Sequence, residues 1–251
     1  MNSKIKWIGR ILGYGILRRV RNYEMFLPDM TEEDIRIIKE VRPYTMTSPE
    51  KIFGLVNAVR YVVKNNIPGD IVECGVWKGG SVMAATKALL SLGVKDRAIH
   101  LYDTFAGMTP PTKEDKTSYE PRTAEKSYEI HKEGDICKWA YAPLEEAKRN
   151  IFSTGYPQDK IRFIIGPVEE TLPKEAPEKI SLLRLDTDFY KSTQVEMEHL
   201  YPRLAQGGVI LIDDYGHWQG ARQAIDEYLA NNKVKLLLNR LDYSGRIGVK
   251  I

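Results

Sequence analysis

Apolar residues recur along this chain in two alternating rhythms. From residue 70 onward, short apolar runs bounded by turn residues predict buried strands at residues 70–74, 98–103, 161–165, 181–186 and 209–213, with a further one at 235–238. Three-to-four spacing predicts helices at 81–92, about 144–154, about 192–204 and about 220–231. Strands alternating with helices imply a parallel sheet covered on both faces. Gly207-Gly208 predicts a helix-to-strand turn, and 245–251 an antiparallel edge strand beside 235–238.

Upstream, Thr31 can cap a helix whose first turn carries Glu32, Glu33 and Asp34 and whose apolar positions are Ile35, Ile37 and Ile38. Thr47-Ser48-Pro49-Glu50 predicts a second start, followed by a helix over 49–65 until Pro68-Gly69 turns the chain. The expected architecture is a doubly wound, mostly parallel α/β domain over 67–251. A helical extension over 1–66 precedes it. Residues 106–141 are rich in Pro, Thr, Glu and Lys without sustained periodicity, and they follow a strand end, so a lid over a site is expected there.

At 251 residues with 43% apolar composition, one core domain is expected. Two cysteines, Cys74 and Cys137, are too few for a disulfide framework or a thiolate metal site, so they read as reduced thiols in a cytoplasmic protein. A metal, if bound, would sit on oxygen. The net charge of +3 conceals six basic and no acidic side chains in residues 1–22 (Lys4, Lys6, Arg10, Arg18, Arg19, Arg21). The remainder holds 31 Lys+Arg against 34 Asp+Glu, which gives no reason to expect a nucleic-acid face. No stretch reaches the ~18 apolar residues of a spanning helix. Ile5, Ile8, Ile11, Leu12 and Ile16 would suit an interfacial membrane helix. An arm on its own domain or a partner subunit is preferred, because Gly9, Gly13 and Gly15 weaken a lone helix; the arm makes a homo-oligomer plausible.

The first chemical motif is the Glu73–Ser81 glycine turn, where a strand gives way to a helix. Gly75 and Gly80 have the spacing of a nucleotide-binding turn, although glycines that only close a turn look the same. Asp103, about thirty residues later at a strand end, can accept both ribose hydroxyls of an adenosine cofactor, or cap a turn. Glu73 would repel a diphosphate and suits a cationic amino or sulfonium group instead. The fourth and fifth strands end in Asp186 and in Asp213-Asp214, and neighbouring parallel strands bring such ends within about 5 Å. Three unpaired carboxylates at one point call for a hard cation such as Mg2+; alternatively some cap helices or pair with Arg184, Lys191 or Arg222.

These segments, GDIVECGVWKGGSV, LYDTFAGM, GPVEETLP, LRLDTDFYKST and LYPRLAQGGVILIDDYG, together resemble the macrocin O-methyltransferase family, which methylates sugar hydroxyls of natural products. The resemblance runs from about residue 44 to 228. More distantly the chain is similar to catechol-type metal-dependent enzymes on the Rossmann-like class I methyltransferase fold. The resemblance implies S-adenosylmethionine and Mg2+ as cofactors. Glu73, Gly75, Val76 and Ser81 would border the methionine part, Asp103, Thr104 and Phe105 the ribose side, and Val168 and Glu169 the adenine. Met46 and Ser48, within Thr45-Met46-Thr47-Ser48, would close over the cofactor. Asp186, Asp213 and Asp214 match the magnesium ligands. The catechol enzymes have a lysine base three residues past the first metal aspartate; here Phe189 stands there, so Asp186 is also the expected base.

A substrate hydroxyl on the cation would lose its proton to Asp186 and attack the sulfonium methyl in line, with the lid excluding water. Tyr215 and His217 are candidates for the substrate side, and His131 could reach the site only from the lid. Trp77, Tyr215 and Trp218 could wall the cofactor or a sugar, or simply pack the core. Two alternatives stay open at this level. Asp186-Thr187-Asp188 has the DxD form of a metal-dependent glycosyltransferase, which explains the metal but not Glu73. A non-enzymatic adenosine-binding scaffold would use the arm and a degenerate site, against which the intact aspartate set argues.

Overall fold

The computed structural model describes residues 26–117 and 123–251. The basic arm of residues 1–22, with the membrane and partner expectations attached to it, lies outside them. Among the described residues no helix is long and apolar enough to cross a membrane.

Seven strands form one sheet: β1 (Asp70–Cys74), β2 (Ile99–Asp103), β5 (Ile161–Ile165), β6 (Ile180–Leu185), β7 (Leu204–Ile212), β8 (Asn239–Arg240) and β9 (Arg246–Val249). Their spatial order is β5-β2-β1-β6-β7-β9-β8, parallel through β7, with β9 antiparallel to both β7 and β8. Successive side chains of a strand face opposite sides, so a strand covered twice must be apolar throughout. Ile71, Leu182, Val209 and Leu211 accordingly face α1 (Glu32–Val41), α2 (Pro49–Lys64), α3 (Gly80–Ser91) and the Ile151 side of α5 (Leu144–Phe152). Val72, Leu183, Ile210 and Ile212 face α6 (Val168–Thr171), α7 (Tyr190–His199) and α8 (Gln219–Asn231). Helices α1 and α2 thus belong to the same core as the sheet.

Thr31 caps α1 in a reciprocal box with Asp34, and Ser48 caps α2 by accepting the Lys51 N–H at 3.2 Å. Three expectations change. The strand expected at 235–238 instead occupies Asn239–Arg240, and β9 takes its main partner from β7, across Val209–Ile212. Gly207-Gly208 lies inside β7 rather than before it, Gly207 at φ +78°, where the register against β6 shifts. The helix expected over 192–204 runs Tyr190–His199 and continues as a 3-10 turn at Tyr201–Arg203, because Pro202 cannot extend an α-helix.

The stretch 106–141 is folded where described. It holds α4 (Ala124–His131) and a two-stranded hairpin, β3 (Lys132–Glu133) with β4 (Ile136–Cys137). Asp115 is 2% exposed and accepts the Tyr190 N–H at 2.7 Å, while the Lys116 carbonyl accepts the Gln219 N–H at 2.8 Å. The segment is therefore tied to the N-termini of α7 and α8.

Candidate active site

The chain runs β1, β2, β5 toward one edge and then returns to place β6 on the other side of β1, so the strand order reverses between β1 and β6. Such a reversal opens a crevice beyond the carboxyl ends of the strands. A cavity of about 410 Å³ lies there, within the usual size of a small-molecule site.

The glycine turn lines one wall. Gly75 has φ +83°, and a Cβ on it would run into the backbone carbonyl of Asp186 at the end of β6. Only glycine permits this approach. Gly79, at φ +88°, begins α3. Asp103 is bound into the same turn: Oδ2 accepts the Val76 and Trp77 N–H groups at 2.6 and 2.9 Å, and Oδ1 accepts the Phe105 N–H at 2.7 Å. A carboxylate offers about four acceptor positions. Three are taken by backbone N–H groups, which leaves one acceptor position, on Oδ1.

The opposite wall is a buried charge network centred on Arg184, the last residue but one of β6. Its Nη1 donates to Glu73 Oε1 at 2.9 Å and lies 2.8 Å from Asp186 Oδ2; its Nη2 donates to Thr47 Oγ1 at 3.0 Å and to Asp213 Oδ2. Lys51, from the first turn of α2, donates to Asp213 Oδ1 and lies 3.8 Å from Asp242 Oδ2. Carboxylate oxygens of Asp186, Asp213 and Asp214 lie within 4.8 Å of one another. Asp213 is thus doubly ion-paired and Asp186 pairs with Arg184, so the three carboxylates are not all unpaired and the alternative of pairing with Arg184 holds for two of them. Asp214 Oδ2 remains buried without a hydrogen-bond partner.

Burial pushes Asp186 and Asp214 well above the ordinary carboxylate range; Arg184 resists this at Asp186, while the neighbouring carboxylates add to it at both. Desolvation raises Glu73 to about 7 against the pull of Arg184, and raises Asp188 to about 7 with help from Asp186. Desolvation alone would lower Lys51, yet Asp213 and Asp214 outweigh it and hold the ammonium above its usual value.

Met46, Ser48, Glu73, Gly75, Val76, Ser81, Asp103, Thr104, Val168, Glu169, Asp186, Asp213, Asp214 and His217 all line the cavity. Phe105 does not: it is 8% exposed and packs toward Phe163, contributing its N–H to Asp103. Tyr215 does not line it either; its ring faces Arg246 and Arg222. His217 Nδ1 is 3.3 Å from Tyr243 Oη, and His131 Nδ1 is 2.7 Å from the Ser127 carbonyl, both at the cavity wall. Trp218 is 4% exposed and donates Nε1 to Asp188 Oδ1 at 2.7 Å, which holds Asp188 in the cavity wall beside Asp214 and Asp186.

Lys51 and Asp242 had no signal in the sequence, since their contacts span the chain; Thr47 lay in the segment expected to close over the cofactor, but its bond to Arg184 had none. Arg184 had one. A charge inside a strand buried on both faces must find partners.

Residues 24–247 match the family described as Macrocin-O-methyltransferase (TylF). The chain is 30% identical over 202 residues to demethyldecarbamoylnovobiocin O-methyltransferase of Streptomyces niveus, covering 80% of this chain and 74% of that protein. Mycinamicin III 3''-O-methyltransferase of Micromonospora griseorubida is also 30% identical over 202 residues, covering 80% of this chain and 76% of that one. Among solved structures, the O-methyltransferase NovP superposes with a TM-score of 0.71 at 28% identity, covering 82% of each chain. With this fold, this glycine turn and this family match, the chain belongs to the macrocin O-methyltransferase family and is an S-adenosylmethionine-dependent O-methyltransferase.

Proposed function

We propose that the enzyme methylates a hydroxyl of a natural-product small molecule, a sugar or polyol hydroxyl, with Mg2+ held by Asp186, Asp213 and Asp214. The relatives support the acceptor class, their names referring to O-methylation of demethyldecarbamoylnovobiocin and mycinamicin III. The observation that carries the reading is the meeting of three carboxylates across the ends of β6 and β7, beside the glycine turn, with Asp214 Oδ2 buried and unpartnered. The donor set suits a hard divalent cation. Six acidic side chains (Glu73, Asp186, Asp188, Asp213, Asp214, Asp242) stand around two cationic ones, Lys51 and Arg184, so a divalent charge also improves the balance.

When bound, S-adenosylmethionine supplies an electrophilic methyl group and the cation supplies acidity toward an acceptor hydroxyl. The chain's own part is positional and basic. Arg184 fixes Glu73, Asp186 and Asp213 in one array, so the carboxylates need no reorganisation during the reaction. Asp186 would accept the acceptor's hydroxyl proton at Oδ1, since Oδ2 faces Arg184 Nη1 at 2.8 Å. Thr47 and Ser48 seal the site from the α2 side, bonded to Arg184 and Asp242 respectively, and Trp139 and Met108 wall it from the 106–141 segment.

Calorimetric titration with S-adenosylhomocysteine, with and without Mg2+, tests the reading together with turnover of Asp186→Asn on a glycoside panel. Cofactor binding with at least about a hundredfold loss of turnover is expected. Full turnover by the variant would remove Asp186 as base.

A further inference from the structure

Outside the catalytic wall, two guanidinium groups lie over one aromatic ring, with a third arginine paired to one of them across a strand. Arg246 Cζ lies 4.9 Å and Arg222 Cζ 5.6 Å from the Tyr215 ring centre. Arg240 is the direct cross-strand partner of Arg246 in the β8–β9 pair. Like charges placed opposite each other on adjacent strands repel, and desolvation followed by the charges of Arg240 and Arg222 lowers the Arg246 pKa.

The cluster is held in place rather than left to spread. Arg246 Nη1 donates to the carbonyls of Ser244 (3.2 Å) and Gly245 (2.9 Å), and Arg240 Nη1 to those of Asp242 (3.2 Å) and Tyr243 (2.7 Å). Only Arg222 has a carboxylate, Asp226, at 3.4 Å; among the described residues Arg240 and Arg246 form no salt bridge, and their Nη2 and Nε groups enter no hydrogen bond. One carboxylate, Asp226, which also accepts the Tyr215 hydroxyl at 2.6 Å, stands against three guanidinium groups; the fixed, planar donors of Arg240 and Arg246 have no acid of their own, and a phosphate oxygen would complete them. The same loop, Asp242 to Ser244, lines the cavity.

We propose that Arg222 and Arg246 on the Tyr215 ring, together with Arg240 paired to Arg246 and bonded to the Asp242–Tyr243 loop at the rim of the acceptor cavity, form a binding site for a phosphate-class anion. The proposal rests on the methyltransferase reading only in regarding the cavity beside it as the acceptor's. An anion held there would sit beside the Asp242–Ser244 loop, where a phosphorylated extension of an acceptor could be gripped apart from the reacting hydroxyl.

The full chain is titrated calorimetrically at constant ionic strength, without divalent cations and with S-adenosylhomocysteine present, using orthophosphate, pyrophosphate and a nucleoside diphosphate. Saturable binding that weakens about tenfold in Arg222→Gln and again in Arg240→Gln is expected. Both side chains are exposed, so neither variant threatens folding. Stronger binding of the nucleoside diphosphate than of pyrophosphate assigns the anion to a larger ligand, and equal binding assigns it to the free anion; either upholds the site. No saturable binding, or binding unchanged in both variants, overturns it. Failure of S-adenosylhomocysteine itself to bind would count against the methyltransferase reading and is read separately from the anion titrations.

Discussion

The backbone carbonyl of Asp186 occupies the space that a side chain on Gly75 would need. The residue expected to act as base is therefore held against the turn expected to hold its cofactor, and one glycine sets the distance between them.

Gly75→Ala should fail on both counts. A Cβ at φ +83° costs roughly 1–2 kcal/mol in backbone strain alone, and the clash with Asp186 adds to it by pushing β1 and β6 apart. Thermal unfolding should show the loss of stability, and titration with S-adenosylhomocysteine should show weakened binding; unchanged affinity would mean the turn does not touch the cofactor.

Asp213→Asn should retain cofactor affinity while losing Mg2+-dependent turnover by about a hundredfold or more. Lys51 and Arg184 would then face a neutral amide, so some stability should be lost as well. Turnover measured across a Mg2+ series decides the point, because a variant as fast as the wild type rules out a metal role for this carboxylate.

Arg184→Met removes the cation that Glu73, Asp186 and Asp213 share at 4% side-chain exposure. Breaking a buried pair in this way costs about 3–5 kcal/mol. Chemical denaturation should report a cost of that order, and a variant as stable as the wild type would show that the carboxylates are neutral in its absence.

The pH dependence follows from Glu73 and Asp188, both raised to about 7 by burial. An acid whose folded value exceeds its unfolded one binds its proton more tightly when folded. Its stabilising contribution is full below the unfolded values of 4.5 and 3.8 and is lost as pH rises through about 7. Metal-free protein should therefore melt at lower temperature at about pH 8 than at about pH 5, and Asp188→Asn should flatten that slope. A melting temperature that rises over the same range would contradict the buried, protonated state of these carboxyls.

Much of the fold was legible because its signals are local. Strands buried on both faces leave continuous apolar runs, and Thr31 and Ser48 announce helix starts through their own hydroxyls. The 106–141 segment was not legible as folded structure, since its order comes from contacts made elsewhere: Asp115 with Tyr190, and Lys116 with Gln219. The edge at β8 was misplaced for a related reason. A two-residue strand carries no periodicity, and its position is fixed by pairing with β9.

By itself the sequence determined the order of strands and helices, the glycine turn and the delivery of Asp186, Asp213 and Asp214 to strand ends, because backbone periodicity fixes where a residue falls along its element. Tertiary structure alone decided the charge state of that site. Lys51 meets Asp213 across 162 residues and Arg184 meets Glu73 across 111, and electrostatic energy depends on distance through space, which sequence separation does not encode.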